Sequence, residues 1–362
     1  MTSTERMAVV GTGLIGTSIA MAAARAGARV RGFDADPDVL ARAAARGGFE
    51  AATGLAEAVR GADLAFICTP IPTIAHLAAE VVVEAPDAVV SDAGSVKSEV
   101  IAEVEATVAD ASRFVGGHPM GGSELSGPEG ASASLLDGIA WVLTPTERTD
   151  AAAVARVERW VAGVGAEVMR MSPGRHDRMV AVVSHLPQVA STVLMGLAAT
   201  EEADEPEILL LAAGGFRDLT RLAASDAGLW SSILLANREQ IAQAIDLYVD
   251  RLRSLRDDVV GSRGDAVRST FAHAKEARLR LATKPQVKSG VAVLQVEVPD
   301  RPGALAELTS ILAEDRVNIE DLQIVHSPEG GRGTVHITVA TGDADTAASA
   351  IAGRGYEPTR LA

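Results

Sequence analysis

Near the start of the chain an apolar run, Met7-Ala8-Val9-Val10, leads directly into Gly11-Thr12-Gly13-Leu14-Ile15-Gly16, then into a small-residue helix pattern ended by Gly27. A second strand pattern, Ala28 to Phe33, closes on Asp34, eighteen residues past Gly16. A lone G-x-G-x-x-G means little, but between strand and helix, with that acid following, it is the full dinucleotide fingerprint. Gly11 makes the tight turn, Gly13 admits the pyrophosphate, and Gly16 lets helix close on strand. The pyrophosphate then rests on the helix start at Leu14 and Ile15, where free N–H groups and the dipole favour an anion. Asp34 can accept both ribose hydroxyls and repels a 2′-phosphate, so NAD is expected as cofactor rather than NADP.

The alternation continues, with strand patterns at 63–68, 88–92, 114–115, 140–143 and 166–170 and helices at 73–83, 96–109 and 150–163. Strands alternating with helices of this length predict an α/β fold with a parallel, doubly wound Rossmann-type sheet. Such sheets bind ligands at the carboxyl ends of their strands. Thr69-Pro70, Asp92 to Ser95 and Gly116 to Met120 all fall there. His118 stands out because glycines ring it, in Gly116-Gly117-His118-Pro119-Met120-Gly121-Gly122. Glycines remove the side chains that would bury a histidine, permit φ > 0 and allow close approach of another molecule. Pro119 biases His118 toward an extended backbone. An incidental histidine in a tight glycine-rich turn is the other reading of the same residues.

From Ser172 to about Thr283 strand signals stop and helical periodicity takes over, at roughly 174–184, 187–202, 206–213, 215–224, 226–240 and 239–260. Past Lys284-Pro285-Gln286, a strand (291–298), a turn into a helix (Asp300 to Ala313), strands at 317–326 and 332–340, a helix (343–352) and a strand (355–361) spell βαββαβ, a ferredoxin-like unit. Three domains follow: 1–172 nucleotide-binding, 173–286 helical, for substrate and dimer contacts, and 287–362. A formal net charge of −15 argues against nucleic acid or an anionic membrane as partner. The single cysteine, Cys68, excludes an internal disulfide framework and fits a reducing compartment. The best apolar run, Met179 to Leu197, is broken by Ser184, His185, Pro187 and Gln188, and the first residues lack a signal-type core. A cytoplasmic chain with no metal site is expected. In the helical region His185 and Gln188 place polar groups in an apolar stretch. Arg217 and Arg221 share a helix face one turn apart. Arg217 reads equally as a solvated partner of Asp218 or as part of an anion site. Arg221, between Leu219 and Leu222, reads as the anion binder, its fork suiting a carboxylate.

Five motifs in order carry a wider resemblance: Gly11 to Gly16, Asp92-Ala93-Gly94-Ser95-Val96-Lys97, Gly117-His118-Pro119-Met120, Ser184-His185-Leu186-Pro187 and Gly215-Phe216-Arg217-Asp218-Leu219-Thr220-Arg221. With them the chain resembles the prephenate/arogenate dehydrogenase family along its length, and Asp300-Arg301-Pro302-Gly303-Ala304-Leu305 resembles the signature of the ACT regulatory domain. The resemblance implies NAD(P)-linked oxidative decarboxylation of prephenate to 4-hydroxyphenylpyruvate, or of arogenate to tyrosine. It makes His118 the catalytic histidine on the ring hydroxyl, a base role suited to an imidazole pKa of about 6.5, and Ser95 its support. It places Arg221 on a substrate carboxylate, with Arg217, His185, Gln188 and Ser123 around the substrate. It also implies a homodimer held by the helical domain. Tyrosine is the expected effector, with phenylalanine as runner-up, at Asp300, Pro302, Gly303, Ala304, Leu305, Asn318 and Ile319. One departure is Gln188, where the family often reads histidine, which leaves prephenate, arogenate and an amino-substituted prephenate open as substrates. A non-catalytic nucleotide and amino-acid sensor should have lost His118 or Arg221, and both are present. A hydroxyacid dehydrogenase with a helical second domain typically relies on a lysine there, and residues 173–274 contain none.

Overall fold

A computed structural model describes residues 5–121, 127–282, 291–299, 301–326 and 332–361. It divides into two compact units, one reaching to Val193 and including Leu222–Leu247, the other comprising Leu194–Arg221 and Tyr248 onward.

The first unit is organised on eight strands: β1 (Arg6–Val10), β2 (Arg29–Phe33), β3 (Glu50–Ala51), β4 (Leu64–Ile67), β5 (Val89–Asp92), β6 (Phe114–Pro119), β7 (Ala140–Thr144) and β8 (Glu167–Arg170). Their spatial order is β3-β2-β1-β4-β5-β6-β7-β8. Strands β1 to β6 run parallel, as expected of a doubly wound sheet. The expectation of an all-parallel sheet fails at β7, which pairs antiparallel with β6, and at β8, which follows β7. Parallel neighbours need a crossover, usually an α-helix. Between β6 and β7 the described residues offer only a 3₁₀ turn at Pro128–Gly130.

Helices α1 (Leu14–Arg25), α2 (Pro37–Arg46), α3 (Leu55–Val59), α4 (Ile71–Glu84), α5 (Ser98–Thr107) and α6 (Ala151–Gly163) cover the sheet. Its strands bury both faces, so they read as continuous apolar runs; every residue of β4 is buried. One core gathers Val10, Ile67, Ile74 and Val100. The other holds Val9, Phe66, Trp141 and Trp160, whose rings meet edge-on or tilted at centroid distances of 4.5–5.9 Å. Helix α2 was not expected, although Asp36 caps it, accepting from the N–H groups of Asp38 and Val39.

Helices α7 (Pro173–Val180), α8 (Leu186–Glu201), α9 (Gly214–Thr220), α10 (Ala227–Ala236), α11 (Arg238–Val260) and α12 (Gly264–Ala282) follow. A π turn, Ala181–His185, joins α7 to α8. Pro187 has no N–H to complete the ordinary helical ladder, and a widened turn accommodates that loss. Within the first unit, Ile233 of α10 enters the sheet core beside Trp230 and Ala236. Ala181, Ile241 and Ala244 form a small core with Leu186, Leu234 and Ile245. Helix α12, absent from the sequence reading, exposes most of its side chains.

In the second unit, β9 (Val291–Pro299), α13 (Ala304–Glu314), β10 (Asp321–His326), β11 (Arg332–Ala340), α14 (Ala344–Gly353) and β12 (Pro358–Leu361) form the expected ferredoxin-like module. Its antiparallel sheet has the order β10-β11-β9-β12. Leu294, Val296, Leu308, Ile337 and Ile351 fill the core. Strand β10 starts at Asp321, so Asn318 and Ile319 precede it.

Candidate active site

The glycine loop has the geometry its fingerprint requires. Gly11 turns at φ +90°, and a Cβ there would lie 2.7 Å from the Cys68 carbonyl oxygen. A Cβ on Gly16 would stand 1.9 Å from the Gly11 carbonyl oxygen, so only glycine lets α1 close on β1. Around Gly13, by contrast, nothing lies within 4 Å of a Cβ position. Helix α1 begins beside that open space with no side-chain cap on its first turn, where Leu14 and Ile15 are half-buried. Uncapped N–H groups facing free space fit a pyrophosphate. Asp34 accepts from Thr12 N at 2.7 Å and from Asp36 N at 3.0 Å. With Asp36 and Asp38 following, three carboxylates stand at the end of β2, an arrangement hostile to a third phosphate. Thr69 and Pro70 sit at the end of β4, where the Thr69 hydroxyl accepts from that of Thr73 at 2.8 Å.

His118 lies near the carboxyl end of β6, half-buried and opposite Val142 of β7. It belongs to a strand, which corrects the expectation of a loop. Gly116 and Gly117 do not take positive φ. They are small because neighbours press in: a Cβ on Gly116 would lie 2.5 Å from Thr144 Oγ1, and one on Gly117 2.6 Å from the Asp92 carbonyl oxygen.

Beneath the strand is a buried polar cluster. Asp92 and Lys97 form an ion pair with both side chains fully buried. Asp92 also accepts from Gly94 N at 2.8 Å and Gly117 N at 3.1 Å. Lys97 Nζ donates to the Gly117 carbonyl at 2.7 Å, one residue before His118. Burial pushes the Lys97 pKa down, and the Asp92 charge opposes it. The N–H groups of Lys97 and Ser98 donate to the two oxygens of Asp177 at 2.9 and 2.8 Å. His176 Nδ1 lies 2.8 Å from Asp177 Oδ1, and His176 Nε2 lies 2.8 Å from His118 Nδ1. Burial, then the nearby side chains of His176, Lys97 and His185, hold the His118 pKa well below the usual imidazole value against the pull of Asp177. His118 is therefore neutral through the neutral range, with a pKa lower than the expected 6.5.

The other expected site residues are placed as follows. His185 is 1% exposed, bonded through Nδ1 to Asn237 at 3.2 Å and set edge-on to Trp230. Burial lowers its pKa to about 4. Gln188 is 5% exposed and donates to the Leu222 carbonyl at 2.7 Å. Both were expected to line the substrate; in this structure the polar atoms of His185 meet Asn237 and those of Gln188 meet Leu222. Ser95 is half-buried at the end of β5, and no hydrogen bond among the described residues joins it to His118, whose Nδ1 faces His176. Ser123 and Asp300 lie outside the described residues. Arg217 and Arg221 belong to the second unit, exposed and one helical turn apart at the end of α9. Leu219 between them is 67% exposed, and Leu222 just beyond is half-buried. In the C-terminal module Gly303 caps α13 at φ +89°. Pro302 is exposed, Leu305 partly so, Ala304 is buried, and Ile319 packs on the core. The Asn318 amide donates to Glu320 at 2.7 Å. The sequence reading missed His176 and Asp177 and gave Lys97 no role. Among the described residues no cluster of His, Cys, Asp or Glu could hold a metal ion.

A doubly wound sheet, a glycine loop open at Gly13 and a histidine at the same sheet edge define a nicotinamide-dependent dehydrogenase. The profile of the prephenate dehydrogenase nucleotide-binding domain matches residues 19–170, that of the prephenate dehydrogenase dimerization domain 172–273, and that of the ACT domain 292–352. Prephenate dehydrogenase of Bacillus subtilis (strain 168) is 31% identical over 94% of this chain and 93% of its own length. A crystal structure of prephenate dehydrogenase from A. aeolicus in complex with hydroxyphenyl propionate and NAD+ aligns with a TM-score of 0.73 and 31% identity, covering 76% of this chain and 98% of that one. Synechocystis arogenate dehydrogenase aligns with a TM-score of 0.67 and 28% identity, covering 76% and 99% of the two chains. The chain belongs to the prephenate dehydrogenase family, and its cofactor is NAD.

Proposed function

We propose that the chain oxidatively decarboxylates prephenate to 4-hydroxyphenylpyruvate, with His118 as the group that works on the ring hydroxyl. The observation carrying this reading is the placement of His118. It is neutral and half-buried on the edge of the sheet where the glycine loop opens, in a chain of this family. Bound NAD supplies the two-electron acceptor for the hydrogen at C4 of the substrate ring. The bare nitrogen of His118 takes the C4 hydroxyl proton as that carbon is oxidised. The C1–carboxylate bond then breaks, its electrons complete the aromatic ring, and the oxygen recovers a proton from the imidazolium as carbon dioxide leaves. The proton is borrowed and returned, so the histidine needs no exit path to solvent. Arg221, with Arg217, is assigned to substrate carboxylates, for which the guanidinium fork is suited. Ser95 shares the carboxyl edge of the sheet and is assigned to the same substrate ring.

Exposed Val182, Val183 and Val193 leave apolar surface on the helical segment that matches a dimerization domain, which supports a homodimer. The matched ACT domain supports tyrosine binding around Gly303 to Leu305, Asn318 and Ile319. Tyrosine should inhibit the full chain, and removal of residues 287–362 should leave an active enzyme less sensitive to it. Equal inhibition of both proteins would make tyrosine an active-site competitor. The substrate assignment is tested by NADH formation from prephenate and from arogenate, each with NAD and NADP. Prephenate with NAD should give the highest kcat/KM. A clear preference for arogenate would transfer the reading to arogenate oxidation, and no turnover of either would end it.

A further inference from the structure

We infer that His176, oriented by Asp177, sets the tautomer of His118 and so presents a bare Nε2 to the substrate. The inference rests on the reading of His118 as the base. It starts from the buried end of the chain of contacts. Asp177 is 1% exposed and its two oxygens receive the N–H groups of Lys97 and Ser98 at 2.9 and 2.8 Å, at the start of α5. A carboxylate held this way only accepts. The His176 nitrogen 2.8 Å from it, Nδ1, is therefore the donor. When His176 is the neutral imidazole it has one N–H, on Nδ1, and its Nε2 carries a lone pair. That lone pair faces His118 Nδ1 at 2.8 Å, the rings meeting at 74°. His118 Nδ1 must then be its N–H, and its Nε2 must be bare. With both imidazoles neutral, the order of donors runs from Asp177 outward.

The same short segment also holds the backbone of the base. Lys97 gives its N–H to Asp177 and its Nζ to the carbonyl of Gly117, immediately before His118. Asn237 donates to the backbone carbonyl of Asp177 at 3.0 Å, fixing α7 against α11. Ring and strand are thus positioned from one point, and His176 need not touch the substrate to matter. Lone imidazoles exchange between tautomers. An unmatched Nδ1–H on this half-buried ring would drive His118 to the form with the proton on Nε2, which cannot accept another.

The test uses the full-length protein. Heteronuclear NMR of nitrogen-labelled histidine should show His118 protonated at Nδ1 and bare at Nε2, a readout independent of turnover. The opposite tautomer overturns the inference. In kinetics, His176→Leu should lower kcat on the order of 10- to 100-fold, the penalty for stranding a buried donor, with KM for substrate and NAD nearly unchanged. His176→Gln, whose carbonyl can accept from His118, should recover a large part of that loss. In a His118→Asn background His176→Leu should cost nothing further, because it acts through a group already removed. A folded His176→Leu protein with full turnover, or equal additional loss in the His118→Asn background, overturns the inference while leaving His118 in place. Normal turnover of His118→Asn itself would instead overturn the function proposed for that residue.

Discussion

Lys97→Met tests whether the buried ion pair supports the site. Methionine matches the lysine stem in length and apolar character, so packing along the side chain survives. What disappears is the pair with Asp92 and the 2.7 Å bond from Nζ to the Gly117 carbonyl. Asp92 would keep two N–H partners, Gly94 at 2.8 Å and Gly117 at 3.1 Å, while losing its counter-charge at zero exposure. Removing one member of a buried pair costs about 3–5 kcal/mol. The two surviving hydrogen bonds place this case toward the lower end, at about 3 kcal/mol. Adding Asp92→Asn removes the stranded charge and should recover about half of the loss. Urea unfolding followed by tryptophan fluorescence is the right assay, because all three tryptophans, Trp141, Trp160 and Trp230, belong to the first unit. The signal then reports that unit alone, which matters in a chain of two units that need not unfold together. A loss below about 1 kcal/mol in the single variant, or no recovery in the double variant, would refute the reasoning.

Two glycines should separate stability from cofactor binding. Gly16→Ala should cost about 1–3 kcal/mol, because its Cβ meets backbone at 1.9 Å, whereas Gly13→Ala should change stability by less than about 1 kcal/mol yet weaken NAD binding at least about tenfold; calorimetry and NAD titration measure both. With pKa values of His118 and His185 lowered in the folded chain, the unfolded chain binds more protons as pH falls below about 6.5. Stability should therefore decline from that pH toward 4 and be unaffected by these groups above it. The acid limb of turnover should likewise fall below pH 6.5, and a limb at or above that value would show that burial does not depress His118.

Much of the first unit was legible because its signals are local. The glycine loop, the acid at Asp34 and the sheet-edge position of His118 follow from spacing along the chain. The reason for the glycines beside His118 was not local. Gly116 and Gly117 answer to Thr144 and to Asp92, contacts that no turn rule describes. The reversal of β7 had a faint signal, since nothing between Met120 and Ile139 has the period of a crossover helix. His176-Asp177 read as the polar start of an apolar helix. Nothing within that stretch announces that a ring fifty-eight residues earlier in sequence lies 2.8 Å away. Lys97 sat inside a quoted motif, but full burial of a lysine runs against its usual exposure and only the packed cluster reveals it. His185 and Gln188 were noticed for being polar among apolar neighbours. That contrast fits a buried tie as well as a ligand contact, and their bonds to Asn237 and Leu222 are contacts that no local pattern announces.

The central claim is that His118 performs the proton chemistry of an NAD-dependent prephenate oxidation. Its most direct test compares steady-state NADH production from prephenate by the unmodified protein and by His118→Asn, with NAD affinity measured in parallel. The account predicts a fall in kcat of at least about 100-fold with NAD binding nearly unchanged. Near-normal turnover by His118→Asn would contradict it.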